Sequence, residues 1–227
     1  MFKTIQANLL SFDLEWIPDP QAAELLYGLK HDPPYSYPDA FRLLWQNSGA
    51  DESNPQPFIK TVLSRIVSVG AIFRQIHEGD ISLKLVSMPA NVSDPELTKE
   101  SAIIDGFLKS IGHHKPQLVG YNSLNSDLPI LVERALVHGL QGHGFGHRPE
   151  KPWEGVDYFS PNSDFHVDLA QALGRWNMKP RLHEIATLSG IPGKMGVSGA
   201  SVADMWLADN VQGIVDYNEY DAFTTHL

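Results

Sequence analysis

The hydrophobic and polar positions of this chain change period along its length, and those changes divide it into elements. The run Leu9-Leu10-Ser11-Phe12-Asp13-Leu14-Glu15-Trp16 reads as a strand. Its two-residue period puts Phe12, Leu14 and Trp16 on one face and Asp13 and Glu15 on the other. Ile17-Pro18-Asp19-Pro20 is expected to end that strand, because proline has no amide hydrogen for the ladder. A short helix over 21–30 with a stripe of Ala22, Leu25, Leu26 and Leu29 follows, then a loop, then a helical patch with Ala40, Leu43, Leu44 and Trp45. Neither helix could bury its face alone, so 17–58 reads as a helical insertion between two strands. Ser64 to Gln75 is dense in β-branched residues, and Glu78-Gly79-Asp80 turns it into a hairpin with Ile81 to Met88. A helix over 95–111 is expected next, with Gly112 as its stop.

Beyond that point short apolar strands alternate with helices. The strands are 117–121 and 164–167, and the helices 127–138, 181–189, 201–208 and 211–226. Alternation of this kind implies parallel pairing, whereas the first half is built on hairpins. The expectation is an α/β fold, a mixed sheet with helices on both faces, in a single domain spanning 1–227.

Composition narrows the function. With 227 residues, 42% of them hydrophobic, the chain can fill a substantial core. The absence of cysteine excludes disulfides and thiolate metal sites, so any metal chemistry must use Asp, Glu or His. It also fits a reducing cytoplasm, and no apolar run is long enough to span a bilayer; a cytoplasmic protein with no membrane contact is expected. The net charge of −10 argues against gripping long duplex nucleic acid, which calls for a basic surface. An acid cluster holding divalent cations would account for part of that charge.

Candidate chemistry lies in three places. Asp13 and Glu15 stand on one strand face, where they could be hard oxygen ligands or simply a wet face. Asp127 opens a helix at the end of a strand, as its N-cap or as a ligand at the carboxyl edge of the sheet. Tyr217 and Asp221 share one row of the last helix at i, i+4, beside the stripe Val211, Ile214, Val215, Asn218 and Ala222.

Together, Asp13-x-Glu15, Asn122 with Asp127, and Tyr217-x-x-x-Asp221 resemble the tyrosine-bearing (DEDDy) branch of the DEDD superfamily of 3′–5′ exonucleases. More closely, the chain resembles predicted bacterial 3′–5′ exonucleases related to the exonuclease domain of family B DNA polymerases. Ser64-Arg-Ile-Val-Ser-Val-Gly-Ala, Leu128-Pro-Ile-Leu, Arg134-Ala-Leu, His138-Gly, His166-Val-Asp168-Leu and Gly190-Ile-Pro-Gly-Lys194 carry that likeness. The resemblance implies a ribonuclease H-like fold with five strands and two divalent cations, Mg²⁺ or Mn²⁺. Asp13 would bridge the two ions, Glu15 and Asp221 would complete one site, and Asp127 would hold the other, partly through water. Tyr217 would orient the attacking water. The substrate implied is the 3′ end of a single-stranded nucleic acid, DNA in preference to RNA, with a replication or repair protein as a candidate partner. An exoribonuclease and a non-catalytic nucleic-acid-binding module are the alternatives. Ser126 departs from the pattern, which usually has an aromatic there, and the chain ends six residues after Asp221, an expected weakness in docking the last helix.

Asn122, Lys194 and Asp168 are candidate substrate contacts. Lys194 reads equally as a solvated loop cation, and Asp168 as a helix cap. His138, His143 and His147 read as an ordinary surface loop without acidic partners. Trp153, Tyr158 and Phe159 are expected to pack on the domain rather than stack on bases.

Overall fold

A computed structural model of the chain describes residues 3–30, 36–151, 153–174, 178–191 and 199–227. Five strands form one sheet: β1 (Leu9–Pro18), β2 (Ser64–His77), β3 (Asp80–Met88), β4 (Gln117–Gly120) and β5 (His166–Asp168). Their order is β3-β2-β1-β4-β5. β1 pairs antiparallel with β2, and β2 with β3; β1–β4 and β4–β5 are parallel. The central strand is therefore the one that carries Asp13 and Glu15, and it is buried on both faces.

The helices are α1 (Pro20–Tyr27), α2 (Tyr37–Asn47), α3 (Glu100–His114), α4 (Asp127–Val137), α5 (Leu169–Leu173), α6 (Leu182–Leu188), α7 (Val202–Leu207) and α8 (Val211–His226). One face of the sheet is dry. Leu10, Phe12 and Leu14 of β1 pack there with Val69, Ala71 and Phe73 of β2 against Ile103, Ile104, Phe107, Leu108 and Ile111 of α3 and Leu128, Ile130 and Leu131 of α4. The other face is covered by α7 and α8, with Ile17, Val67, Val202, Ile214 and Tyr217 in its apolar part. A bulge distinguishes the two: Glu15 faces Ser68 while Trp16 faces Ile66, so Val67 is an extra residue. Such an irregularity re-aims neighbouring side chains.

The structure corrects several local expectations. The strand end is not among them: β1 stops within the expected stretch, at Pro18, which faces Ser64, so the missing amide hydrogen costs no interior rung. In α1, Leu25 and Leu26 are exposed, and the buried positions are Ala22 and Ala23, packed against Ala40 and Leu44 of α2. Small residues let the two helices approach closely. α3 starts at Glu100 and continues through Gly112 to His114. Gly112 does not stop it: a side chain there would run into the backbone of His143. The loop histidines also have acidic partners after all. His143 Nε2 lies 3.1 Å from Asp105 Oδ1, and His138 Nε2 lies 2.7 Å from Glu100 Oε2. Tyr158 packs in the core as expected, whereas Trp153 is exposed.

Arg134 of α4 is buried and ties the insertion to the rest of the chain. Its guanidinium donates to Glu100 through Nε (2.8 Å to Oε1) and NH2 (2.6 Å to Oε2), and NH1 reaches Asp19 Oδ2 at 2.8 Å. Glu100 Oε1 also accepts from the Ile66 amide of β2, and Asp19 Oδ1 caps α1 at the Gln21 amide. Two buried carboxylates thus share one planar cation in fork geometry, with His138 at the second oxygen of Glu100.

Candidate metal centre

Asp13 and Glu15 leave β1 on the face that α8 covers. α8 is capped by Asn210, whose Oδ1 accepts from the Gly213 amide, and its buried row includes Ile214, Tyr217, Asn218 and Asp221. The 3.6-residue period of the helix and the two-residue period of the strand therefore aim acids at one another. Asp13, Glu15 and Asp221 each bring a carboxylate oxygen to within 4.8 Å of the others, with Glu15 and Asp221 buried and Asp13 half-buried. Two oxygens on one Mg²⁺ are at most about 4.2 Å apart, given ligand distances of about 2.1 Å. The spread of the three acids is close to what one coordination sphere spans, so the donor set fits a hard divalent cation.

Tyr217 lies one turn before Asp221 and hydrogen-bonds to it. Burial, with Glu15, Asp221 and Asp13 close by, pushes its phenol well above the ordinary tyrosine range. It keeps its proton at neutral pH and can position a water but not deprotonate one.

Asp127 stands apart from these three. Here it is the first residue of α4, with Ser126 in the cap position, and its carboxylate points at β1. Oδ1 accepts from the Leu14 amide at 3.1 Å, and Ser126 Oγ lies 2.6 Å from Oδ2. The pairing of β1 with β4 covers only Leu9 to Ser11, so Asp127 satisfies a strand amide beyond the end of β4. Burial is the main reason its carboxyl is pushed up to about 6, with Asp168 adding to the rise and the bonds from Ser126 and Leu14 opposing it.

The three candidate substrate contacts fare differently. Asp168 caps α5 at the Ala170 amide (3.0 Å) and also accepts from the amides of Asn122 (2.9 Å) and Leu124 (3.1 Å). It fixes the loop between β4 and α4. Asn122 sits in that loop at φ 60°, its side-chain oxygen accepting from Asn125 Nδ2 at 3.1 Å. Lys194 lies outside the described residues.

A cavity of about 410 Å³ opens over the three acids. Its walls include Trp16, Trp45, Pro57 and Phe58, with Ala203 and Tyr217 opposite. Phe58 stands edge-on to Trp16 with ring centroids 6.4 Å apart, and 62% of it is exposed. The insertion, through Trp45 and Phe58, and the end of β1, through Trp16, thus supply aromatic lining to the cavity that holds the acids. Sequence reading missed Phe58 and Trp45 because nothing local marks a loop aromatic as part of a site. It also missed the close approach of Gly70 in β2 to Asn218 of α8, although a glycine inside a strand of β-branched residues is a recognisable sign of close backbone approach.

Strand order, central acid pair and a third acid from the last helix define an α/β domain of the ribonuclease H-like type. Residues 56–227 match the family described as a predicted 3′–5′ exonuclease related to the exonuclease domain of PolB, and the chain belongs to that family. That match begins after β1, so Asp13 and Glu15 join the site through the fold. A chain of the family B DNA polymerase from the hyperthermophilic archaeon Pyrobaculum calidifontis superposes with a TM-score of 0.50 at 16% identity, over 96% of this chain and 24% of that one. This chain thus spans about a quarter of that polymerase's length and shares its fold there. A chain of an ExoI/SSB-Ct complex aligns at a TM-score of 0.36 and 14% identity, covering 97% of this chain and 44% of that one, too distant to add to the argument. No curated protein matches the sequence. Among the described residues, no helix is long and apolar enough to cross a membrane.

Proposed function

We propose that residues 1–227 form one cytoplasmic, metal-dependent exonuclease domain that hydrolyses phosphodiester bonds at the 3′ end of single-stranded DNA. The observation that carries this reading is the meeting of Asp13, Glu15 and Asp221, with Tyr217 bonded to Asp221, in the lining of one open cavity. Asp13, Glu15 and Asp221 would hold one divalent cation and Asp127, whose carboxylate reaches β1 at the Leu14 amide, a second. Two such ions, Mg²⁺ or Mn²⁺, would offset the charge of the reacting phosphate and make a water acidic enough to attack in line. Tyr217 holds that water in place through its protonated hydroxyl. The aromatic wall of Trp16, Trp45 and Phe58 suits an unstacked base, which a single-stranded end offers and a duplex does not.

The test is digestion of a 5′-labelled single-stranded DNA in Mn²⁺ by the wild type and by Asp13→Asn, with a matched RNA in parallel. A ladder shortening from the 3′ end and lost in the variant is expected. Hydrolysis by Asp13→Asn at the wild-type rate would refute the assignment, and faster RNA digestion would reassign the substrate.

A further inference from the structure

Gly70 faces Asp13 across the β1–β2 ladder, and Ser68 faces Glu15, so all four residues share the sheet face beneath α8. Directly above Gly70 sits Asn218, between Tyr217 and Asp221 on the helix. A Cβ built on Gly70 would stand 2.8 Å from the Asn218 carbonyl oxygen, 2.9 Å from its carbonyl carbon and closer still to Oδ1. Two of these obstacles are helix backbone, which cannot swing aside. The strand and the helix therefore touch main chain to main chain at the one rung that also carries Asp13. Asn218 is fully buried, and among the described residues neither polar atom of its amide meets a hydrogen-bond partner. A contact that leaves buried polar atoms unpaired costs stability.

We infer that Gly70 is a positioning residue for the acid cluster, setting through Asn218 the height of α8 over β1 and hence the gap between Asp221 and the Asp13–Glu15 pair. Carbon–oxygen contacts settle near 3.5 Å, so a methyl at position 70 would lift the helix by roughly half an ångström or more. That exceeds what a site for Mg²⁺ or Mn²⁺ tolerates, because the smaller cation demands near-ideal octahedral distances. Neither residue is itself a ligand.

The inference rests on the metal reading above, and calorimetric titration of Mn²⁺ into folded protein separates the two. No Mn²⁺ binding by the wild type would sink the metal reading itself. If the wild type binds, Gly70→Ala should weaken the affinity by about tenfold or more, the range seen when residues behind metal ligands are changed. A purely structural glycine would lower the melting temperature and leave the affinity of the folded fraction alone. Should Gly70→Ala fail to fold, Asn218→Gln decides: it adds one methylene to the same contact from the helix side and should weaken Mn²⁺ binding in the same direction. Wild-type affinity in the folded variant would overturn the inference.

Discussion

Two groups of buried acids in this molecule solve the same electrostatic difficulty in different ways. Glu100 and Asp19 share the guanidinium of Arg134, at 2.6 and 2.8 Å, and so carry their counter-charge within the fold. Asp13, Glu15 and Asp221 converge on one another, each with an oxygen within 4.8 Å of the other two. Like charges gathered at low dielectric are unfavourable unless something offsets them. The first group is a finished clamp that joins α1, β2, α3 and α4. The second opens onto a cavity, and in the reading proposed here its counter-charge arrives with the divalent ion. A structural acid and a functional acid can thus be told apart by what surrounds them, even where Glu15 and Asp221 are as buried as Glu100 and Asp19.

The sharpest way to break this comparison is to remove one acid from each group. Asp13→Asn should lower hydrolysis by about a hundredfold or more, since several kcal/mol of transition-state stabilisation depend on the cation. The ion-free variant should melt no lower than the wild type, because one of three crowded carboxylates is gone. Arg134→Met should do the opposite. It strands Glu100 and Asp19 and should cost about 3–5 kcal/mol in urea unfolding, with the rate per folded molecule retained. In the wild type, Mn²⁺ at a hundred times its dissociation constant should add about 2.7 kcal/mol of stability, a gain that chelation reverses and Asp13→Asn lacks.

His166 supplies a third solution, in which a buried titratable group stays neutral. Its Nδ1 lies 3.0 Å from the Tyr158 carbonyl oxygen, so it donates there, and Nε2 accepts from Ser123 Oγ at 2.8 Å. Burial pushes its pKa down from 6.5 to about 4. The folded state therefore prefers the neutral ring, and the stability this contributes is present above pH 6.5 and is lost as pH falls towards 4. The loss should approach about 3 kcal/mol at the acid end. His166→Gln should flatten that part of the stability curve in acid titrations followed by circular dichroism.

Much of this arrangement was legible because its signals are local. The alternation in Leu9–Trp16 put Asp13 and Glu15 on one face, and i, i+4 spacing put Tyr217 above Asp221. The strands and their parallel or antiparallel sense followed from hairpin and alternating rhythms. What could not be read were contacts between residues far apart in sequence. Asp127 looked like a helix cap, but its bond to the Leu14 amide exists because β4 ends early. His138 and His143 seemed to lack acids, which come from α3. Leu25 and Leu26 outrank alanine on any hydrophobicity scale, yet close packing on α2 selects the smaller side chains. The feared weakness of the last helix is not evident in its packing: Thr224 and Thr225 are buried, and His226 Nδ1 lies 3.1 Å from Ser11 Oγ.

The smallest expected effect concerns Ser126, the neighbour of Asp127. Its hydroxyl lies 2.6 Å from Asp127 Oδ2 and 3.0 Å from the Asn122 carbonyl oxygen, so it helps to hold the acid in place. Asp127 keeps its second anchor, the Leu14 amide, when this one is lost. Ser126→Ala should therefore cost about 1.5 kcal/mol in unfolding, the low end for one hydrogen bond to a charged group, and slow hydrolysis a few-fold. Ser126→Thr, which keeps the hydroxyl, should restore the rate. A fall as deep as that of Asp13→Asn would mean that Asp127 depends on Ser126 as strongly as the other acids depend on their shared ion. The difference between a clamped acid and a convergent one would then no longer hold for Asp127.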